Sequence, residues 1–431
     1  MNAGPDDIES RRMFLRFLAG SPLLACAGLS ACSTGGPRLE PTEGEDPPSP
    51  PDDKGPPDDE GVRGADGSGE SGDDQGISRP EEAINVFDFE AVARKKLPPA
   101  HYGYLATGVD DDGTVRANRE GFSKIQIRMR RLIDVSRIDT TTEIFGVTWE
   151  TPIVLAPAGS QRAFHRRGEI ATARAARTRK HLQILSTVTT TSVEDVIAAR
   201  GEPVWFQLYP TPEWETTQAL VTRAEAAGCP VVVLTVDLLG GSNRETLERF
   251  KRTDKRKCAR CHEGFFERKP MFDGLDVKSL SPRWLTWDFV RRLKEHTTMK
   301  VVIKGIVTRE DAGRCLEYGV DGIVVSNHGG RAEESGRATI DCLPEVMEAV
   351  GEKIPVLIDG GFRRGTDIFK ALALGARAIC IGRPYLWGRA AFGQAGVESV
   401  LDLLRAELEM VMRQTGATST AEIRRDLVLS G

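Results

Sequence analysis

The sequence predicts an α/β fold built as a closed (β/α)8 barrel with an N-terminal helical extension, and three observations predict it. Short apolar, β-branched runs recur between residues 152 and 381; amphipathic stretches of helical period separate them; and polar or ionisable residues gather just beyond the C-terminal ends of the runs. Strands buried on both faces read as near-continuous apolar segments, and strand–helix alternation marks a parallel sheet. Eight such units favour closure into a TIM barrel over an open sheet.

Taken in order, the chain first reads as a leader. Ser10-Arg11-Arg12-Met13-Phe14-Leu15-Arg16 matches a twin-arginine export pattern. The apolar run 17–31 that follows is too short and too rich in small residues for a membrane-spanning helix. Leu29-Ser30-Ala31-Cys32 resembles a lipobox with Cys32 as the lipid-bearing residue; an ordinary cleaved signal with an incidental cysteine is the alternative, and Leu23-Leu24-Ala25-Cys26 is a second candidate. Residues 1–32 are therefore expected to direct export to the periplasm, with a lipid anchor at Cys32. Residues 33–80 are Pro, Gly, Asp, Glu and Ser with almost nothing apolar, so a disordered acidic linker is expected. The folded domain is expected to span residues 81–431, with 87–108 as its helical preface.

The predicted strands are 152–156, 182–185, 204–208, 231–236, 300–304, 322–325, 355–358 and 378–381. Stretches 169–179, 217–227, 308–318 and 366–374 are predicted helices, several followed by a glycine able to end them, and 397–415 is the predicted last covering helix. No short-period repeat lies beneath this alternation.

A barrel of this kind carries its chemistry on the rim at the C-terminal ends of its strands. The residues there are Pro157-Ala158-Gly159, Ser186-Thr187, Gln207 and Tyr209, Thr235 and Asp237, Lys304, Ser326-Asn327-His328, Asp359-Gly360-Gly361 and Gly382-Arg383. A formal net charge of −5 provides no basic field for nucleic acid, so small-molecule chemistry is expected. After the seventh and eighth strands stand Asp359-Gly360-Gly361-Phe362-Arg363-Arg364-Gly365 and Gly382-Arg383-Pro384. Loops in those places suit a phosphate, because glycine admits backbone N–H groups and guanidinium adds charge-assisted bonds. Asp237 and His328 can form a carboxylate–imidazole pair, which orients a base and stabilises its protonated form. Arg244 and Arg331, shortly after the same two strands, suit a substrate carboxylate. Beside a flavin, the Lys304 ammonium would stabilise an anionic reduced ring. Taken singly, each residue also has a plain reading as a tight turn, a solvated arginine or a satisfied polar group.

Six segments carry a more specific resemblance. They are Leu97-Pro98-Pro99-Ala100-His101-Tyr102-Gly103-Tyr104, Thr114-Val115-Arg116-Ala117-Asn118-Arg119, Phe206-Gln207-Leu208-Tyr209, Leu234-Thr235-Val236-Asp237, Ser326-Asn327-His328-Gly329-Gly330-Arg331 and the run from Asp359 to Asp367. Together they resemble the FMN-dependent 2-hydroxy-acid dehydrogenases and oxidases over roughly residues 85–427. The resemblance implies bound FMN and a small (S)-2-hydroxy acid, of the L-lactate or glycolate class, oxidised to the 2-oxo acid with a hydride equivalent passing to flavin N5. It implies oxygen or a periplasmic electron carrier as acceptor, and a homo-oligomer. His328 would be the base and Asp237 its partner. Arg244 and Arg331 would hold the substrate carboxylate with help from Tyr104, and Tyr209 would sit near the substrate hydroxyl. Pro157, Ala158, Gly159, Ser186, Gln207, Thr235, Lys304 and Ser326 would line the flavin; Asp359, Gly361, Arg363, Gly382 and Arg383 would hold its ribityl chain and phosphate.

Two positions depart from that pattern. Ser186-Thr187-Val188 lacks the tryptophan that well-known members carry, which implies a smaller pocket wall, and Gly159 stands where alanine is common, which implies extra room near the flavin. In the long fourth loop, Cys258-Ala259-Arg260-Cys261-His262 has the spacing of covalent haem c attachment, with a disulfide, a metal half-site or chance as alternatives and Met271 as a nearby thioether. Cys229, Cys315, Cys342 and Cys380 are expected to be buried thiols. An FMN barrel of the isopentenyl diphosphate isomerase type and a lipid-anchored flavin-binding protein without turnover are the alternative functions. The Asp237, Arg244, His328 and Arg331 set argues against both.

Overall fold

Eight parallel strands form one sheet in the computed structural model, which describes residues 76–239, 241–255 and 269–430. They are β1 (Ile153–Leu155), β2 (Ile184–Ser186), β3 (Trp205–Leu208), β4 (Val231–Thr235), β5 (Lys300–Ile306), β6 (Gly322–Val325), β7 (Val356–Asp359) and β8 (Ala378–Ile381). Successive strands from β2 to β8 pair in parallel, and β8 pairs with β1 through Ile381 and Leu155. Leu155 also bridges Gln183, just ahead of β2, which closes the barrel. All eight predicted runs overlap these strands.

The alternation of side chains explains why the runs read as continuously apolar. Val154, Ile184, Val233, Val302, Val324 and Leu357 pack inside the barrel, whereas their neighbours Leu155, Leu185, Leu234, Ile303, Ile323 and Ile358 belong to the core beneath the helices. A hairpin pairing Thr142–Ile144 with Val147–Trp149 plugs the N-terminal end, where Phe145 meets the Trp205 ring at 5.5 Å. Neither this hairpin nor the pairing of Ile125–Ile127 with Val428–Ser430 was predicted. Three-residue strands are too short to display a period.

The predicted preface is two helices, α1 (Val86–Lys96) and α2 (Pro99–Ala106), followed by α3 (Gly113–Glu120). Asn85 starts α1 by accepting the Phe87 N–H at 2.9 Å. Around the barrel run α4 (Gly168–Thr178), α5 (Val193–Arg200), α6 (Trp214–Ala226), α7 (Glu245–Thr253), α8 (Trp287–His296), α9 (Arg309–Glu317), α10 (Thr339–Val350), α11 (Gly365–Ala373) and α12 (Arg383–Thr415). The predicted last helix is the second half of α12, which breaks at Phe392 and Gly393 and therefore reads in sequence as two pieces.

One contact ties α3 to the rim. The Asn118 and Asn327 side-chain amides donate to each other's oxygens at 3.0 Å, and Gly361, at φ 82°, lies so close to Asn118 that a Cβ would overlap its carbonyl oxygen. Gly361→Ala is expected to push α3 off the β7 loop and cost about 1–3 kcal/mol, measured as a lower denaturant midpoint. An unchanged midpoint would show that the loop has room to adjust.

Candidate active site

The ends of β4, β5, β6 and β7 converge on a buried polar cluster. Gly305 irregularly widens β5 at φ 114°, and any side chain there would press on Asp237. Glycine thus lets the β4 and β5 ends approach. Lys304 Nζ donates to Ser326 Oγ at 2.8 Å and lies 3.3 Å from Asp359 Oδ2 and 3.7 Å from Asp237 Oδ2. Ser326 Oγ donates to Asp359 at 2.8 Å and accepts the His328 backbone N–H at 3.0 Å. Burial by itself would lower the Lys304 pKa, but Asp359 and Asp237 raise it, so the group is an ammonium. Burial likewise opposes ionisation of Asp237, yet His328 and Lys304 hold its pKa below the ordinary carboxylate value.

His328 takes a left-handed backbone, φ 59°, which is strained for a residue other than glycine. Its Nδ1 is 2.8 Å from Asp237 Oδ1 and its Nε2 is 3.2 Å from the Tyr209 hydroxyl. An ionised carboxylate only accepts, so Nδ1 carries the hydrogen and Nε2 presents its lone pair. Burial lowers the imidazole pKa, Asp237 opposes that and Lys304 reinforces it; the net shift is downward. Burial first, then Asp237, pushes the Tyr209 phenol well above its usual range, so it keeps its proton. A neutral imidazole backed by a carboxylate is a base ready to take a proton.

These groups face a cleft of about 900 Å3, counting its open mouth. Tyr104, Phe164, Val188, Tyr209, His328 and Arg331 line it, with the Arg331 guanidinium 4.2 Å from the Tyr104 ring centroid. Pro157, Ala158, Gly159, Ser186, Lys304, Asp359, Gly361, Arg363, Gly382 and Arg383 also line it. Arg363 is buried and Arg383 half-buried; burial first, then repulsion from Arg383, brings the Arg363 pKa down to about 9, and burial first, then repulsion from Arg331, brings that of Arg383 down to about 10. A phosphate dianion would offset that repulsion, and Gly382 has open space where a Cβ would stand. A cleft lined by the Lys304 ammonium and by the Arg363 and Arg383 guanidiniums fits FMN. Arg363 and Arg383 would hold its phosphate, and Lys304 would face the ring.

Several expected positions differ. Asp237, Gln207, Thr235 and Ser326 lie behind the lining residues. Gln207 Nε2 donates to Thr235 Oγ1 at 3.0 Å while its Oε1 accepts from Ser186 Oγ at 3.0 Å, a chain that braces β2, β3 and β4. Arg244 does not line the cleft: it donates to the carbonyls of Tyr104, Thr107 and Gly108 at 2.9–3.2 Å. The Tyr104 carbonyl lies in the last turn of α2 and the other two follow it, where helix geometry leaves acceptors without partners. Arg383 similarly donates to Leu105, Thr107 and Gly329 carbonyls. The extra room expected at Gly159 is already filled, because a Cβ there would overlap a Val188 methyl. Cys258, Cys261 and His262 lie outside the described residues, and Met271 is fully buried in the core. The four other expected thiols are buried.

Sequence reasoning missed Phe164 and the pair formed by Lys269 and Ser160, whose Nζ donates to Oγ at 2.6 Å. Phe164 sits deep in the loop after β1, beyond the strand-end positions that the barrel rule inspects, and nothing in its residue type marks it.

The family described as FMN-dependent dehydrogenase matches residues 93–430, and that description names FMN and no haem. Glycolate oxidase 3 from Oryza sativa subsp. indica is 41% identical over 361 residues, covering 80% of this chain and 96% of its own. The peroxisomal (S)-2-hydroxy-acid oxidase of Oryza sativa subsp. japonica is 40% identical over 358 residues, with coverage of 80% and 96%. A solved mandelate oxidase variant with 2-hydroxy-phenylacetamide superposes with a TM-score of 0.72 at 36% identity, covering 80% of this chain and 97% of that one. Export to the periplasm, expected from residues 1–32, is corrected by these findings. The relatives are glycolate oxidases and a protein named as peroxisomal, and no helix among the described residues is long and apolar enough to cross a membrane. The leader, Cys32 and the linker up to residue 75 lie outside the described residues. With the closed barrel, the cleft and these matches in agreement, the chain belongs to the FMN-dependent 2-hydroxy-acid oxidase and dehydrogenase family and is an oxidoreductase.

Proposed function

We propose that this chain oxidises a small (S)-2-hydroxy acid to the 2-oxo acid with His328 as the base. The observation that carries the proposal is the 2.8 Å His328–Asp237 pair opening onto the cleft beside Arg331. Bound FMN supplies the acceptor for the two electrons. Arg331 takes the substrate carboxylate through its planar donor fork, and the Tyr104 hydroxyl assists it. His328 Nε2 removes a proton from the substrate, and the Asp237 carboxylate stabilises the imidazolium that results. Tyr209, displaced from Nε2, donates to the substrate oxygen. Arg244 acts one layer back: its guanidinium is 5.4 Å from the Tyr104 ring centroid and pins the 104–108 backbone. Molecular oxygen is the proposed final acceptor, as the names of the oxidases it resembles suggest.

Aerobic assays with glycolate, L-lactate and D-lactate, reading 2-oxo acid and peroxide together, test this reading. Equal amounts of both products from glycolate and L-lactate are expected; no product from any acid would overturn it. The pH dependence follows from the imidazole. The base works when neutral, so kcat/KM should rise with pH, and its acid limb should fall below the ordinary imidazole value of 6.5 because the net shift is downward. Asp237→Asn removes the group that opposes this shift, so the limb should move lower still while kcat drops by about a hundredfold. A limb above the ordinary value in the unmodified protein would contradict the assignment.

A further inference from the structure

We propose that Phe164 is the specificity-determining wall of this cleft, and that the preferred 2-hydroxy acid carries an apolar side chain larger than methyl. The inference rests on the functional reading just given and adds what the substrate must look like beyond its reacting carbon.

Phe164 is only 5% exposed, yet it lines the cleft. Three neighbours fix it. Its ring stacks on Tyr104, centroids 6.0 Å apart and planes 26° apart; His101 meets it edge-on at 6.4 Å; and the Arg389 guanidinium lies 5.6 Å from its centroid. Arg389 is itself fully buried and donates to the Gln161 side-chain oxygen, so the support beneath the ring is fixed as well. Val188 is equally confined, because one of its methyls occupies the space that a Cβ on Gly159 would need. The tryptophan missing at position 188 is thus matched by an aromatic wall reaching in from the β1 loop.

Tyr104 links this wall to the anion end of the site, since it contacts both Arg331 and Phe164. A hydroxy acid held by its carboxylate at Arg331 therefore lies within one ring of an apolar surface. Glycolate leaves that surface in contact with water. A branched aliphatic side chain covers it, and each added methylene in such a pocket is worth about 10-fold or more in kcat/KM.

The test is anaerobic flavin reduction of the FMN-loaded full chain by glycolate, L-lactate and L-2-hydroxyisocaproate, comparing the unmodified protein with F164A, F164L and F164Y. The unmodified protein is expected to favour 2-hydroxyisocaproate over glycolate by about 10-fold or more. F164A and F164L, judged intact by retained flavin absorbance, should lose most of that ratio. F164Y keeps the ring and should keep the ratio. Should F164A lose its flavin, F164L decides. An unchanged ratio in F164L, or a preference for glycolate in the unmodified protein, overturns the proposal while leaving 2-hydroxy-acid oxidation standing. If none of the three acids reduces the flavin, the functional reading falls and this inference with it.

Discussion

Replacing His328 by asparagine is expected to lower the rate of flavin reduction by about a thousandfold while the protein keeps its FMN. Asparagine tolerates the left-handed backbone that His328 adopts, so the substitution removes the imidazole with little added strain. The loss is large because no neighbour can replace the base. The Tyr209 phenol is held well above its usual range by burial and keeps its proton, and the Asp237 carboxylate lies behind the imidazole rather than on the cleft. FMN retention follows from the distance between roles: the phosphate end depends on Arg363 and Arg383. Stopped-flow reduction alongside the flavin-to-protein absorbance ratio measures both. Turnover within about tenfold of the original would show that another group takes the proton.

Lys304→Met has the second large effect, and it acts on stability as well as on cofactor binding. The ammonium stands between Asp237 and Asp359 and is 4% exposed. Without it, two buried carboxylates lose the cation between them and keep only the His328 and Ser326 hydrogen bonds, which costs about 3–5 kcal/mol. The sign of the pH dependence follows. In the variant Asp237 loses a cation that holds its pKa down, so the folded state binds a proton more tightly than it does with Lys304 in place, and the stability deficit grows as pH rises. The deficit should therefore be greatest near neutral pH and shrink under mildly acidic conditions. Denaturant midpoints of the two proteins at several pH values, with flavin content at each, measure it. A midpoint equal to that of the unmodified protein throughout would mean that the carboxylates are protonated or solvated in the native state.

The barrel was legible because burial on both faces removes polar residues from β1 to β8, and the same rule makes any polar residue at a strand end conspicuous. Asp237 and His328 come from loops 91 residues apart, yet closure of the barrel brings them within hydrogen-bonding distance. What sequence position could not supply is direction. Arg244 has the residue type and loop of a carboxylate ligand, but the open carbonyls after α2 claim its donors. Gly159 reads as added space only if its neighbours are unknown, and Val188 fills that space. Phe164 carries no polar signal, and a phenylalanine in a loop becomes informative only when Tyr104, His101 and Arg389 are seen around it. The leader pattern was a statement about local residue types alone, and the relatives do not bear out the periplasmic location drawn from it.

The proposed chemistry of this cleft reduces to one event, the transfer of two electrons from a 2-hydroxy acid into a flavin held there. Anaerobic titration of the FMN-loaded protein with a saturating (S)-2-hydroxy acid measures it directly. The visible flavin band should bleach completely, yield one 2-oxo acid per flavin, and return when oxygen is admitted, whereas His328→Asn should stay yellow on the same timescale. A flavin that binds stoichiometrically yet remains oxidised in every such acid would contradict the account.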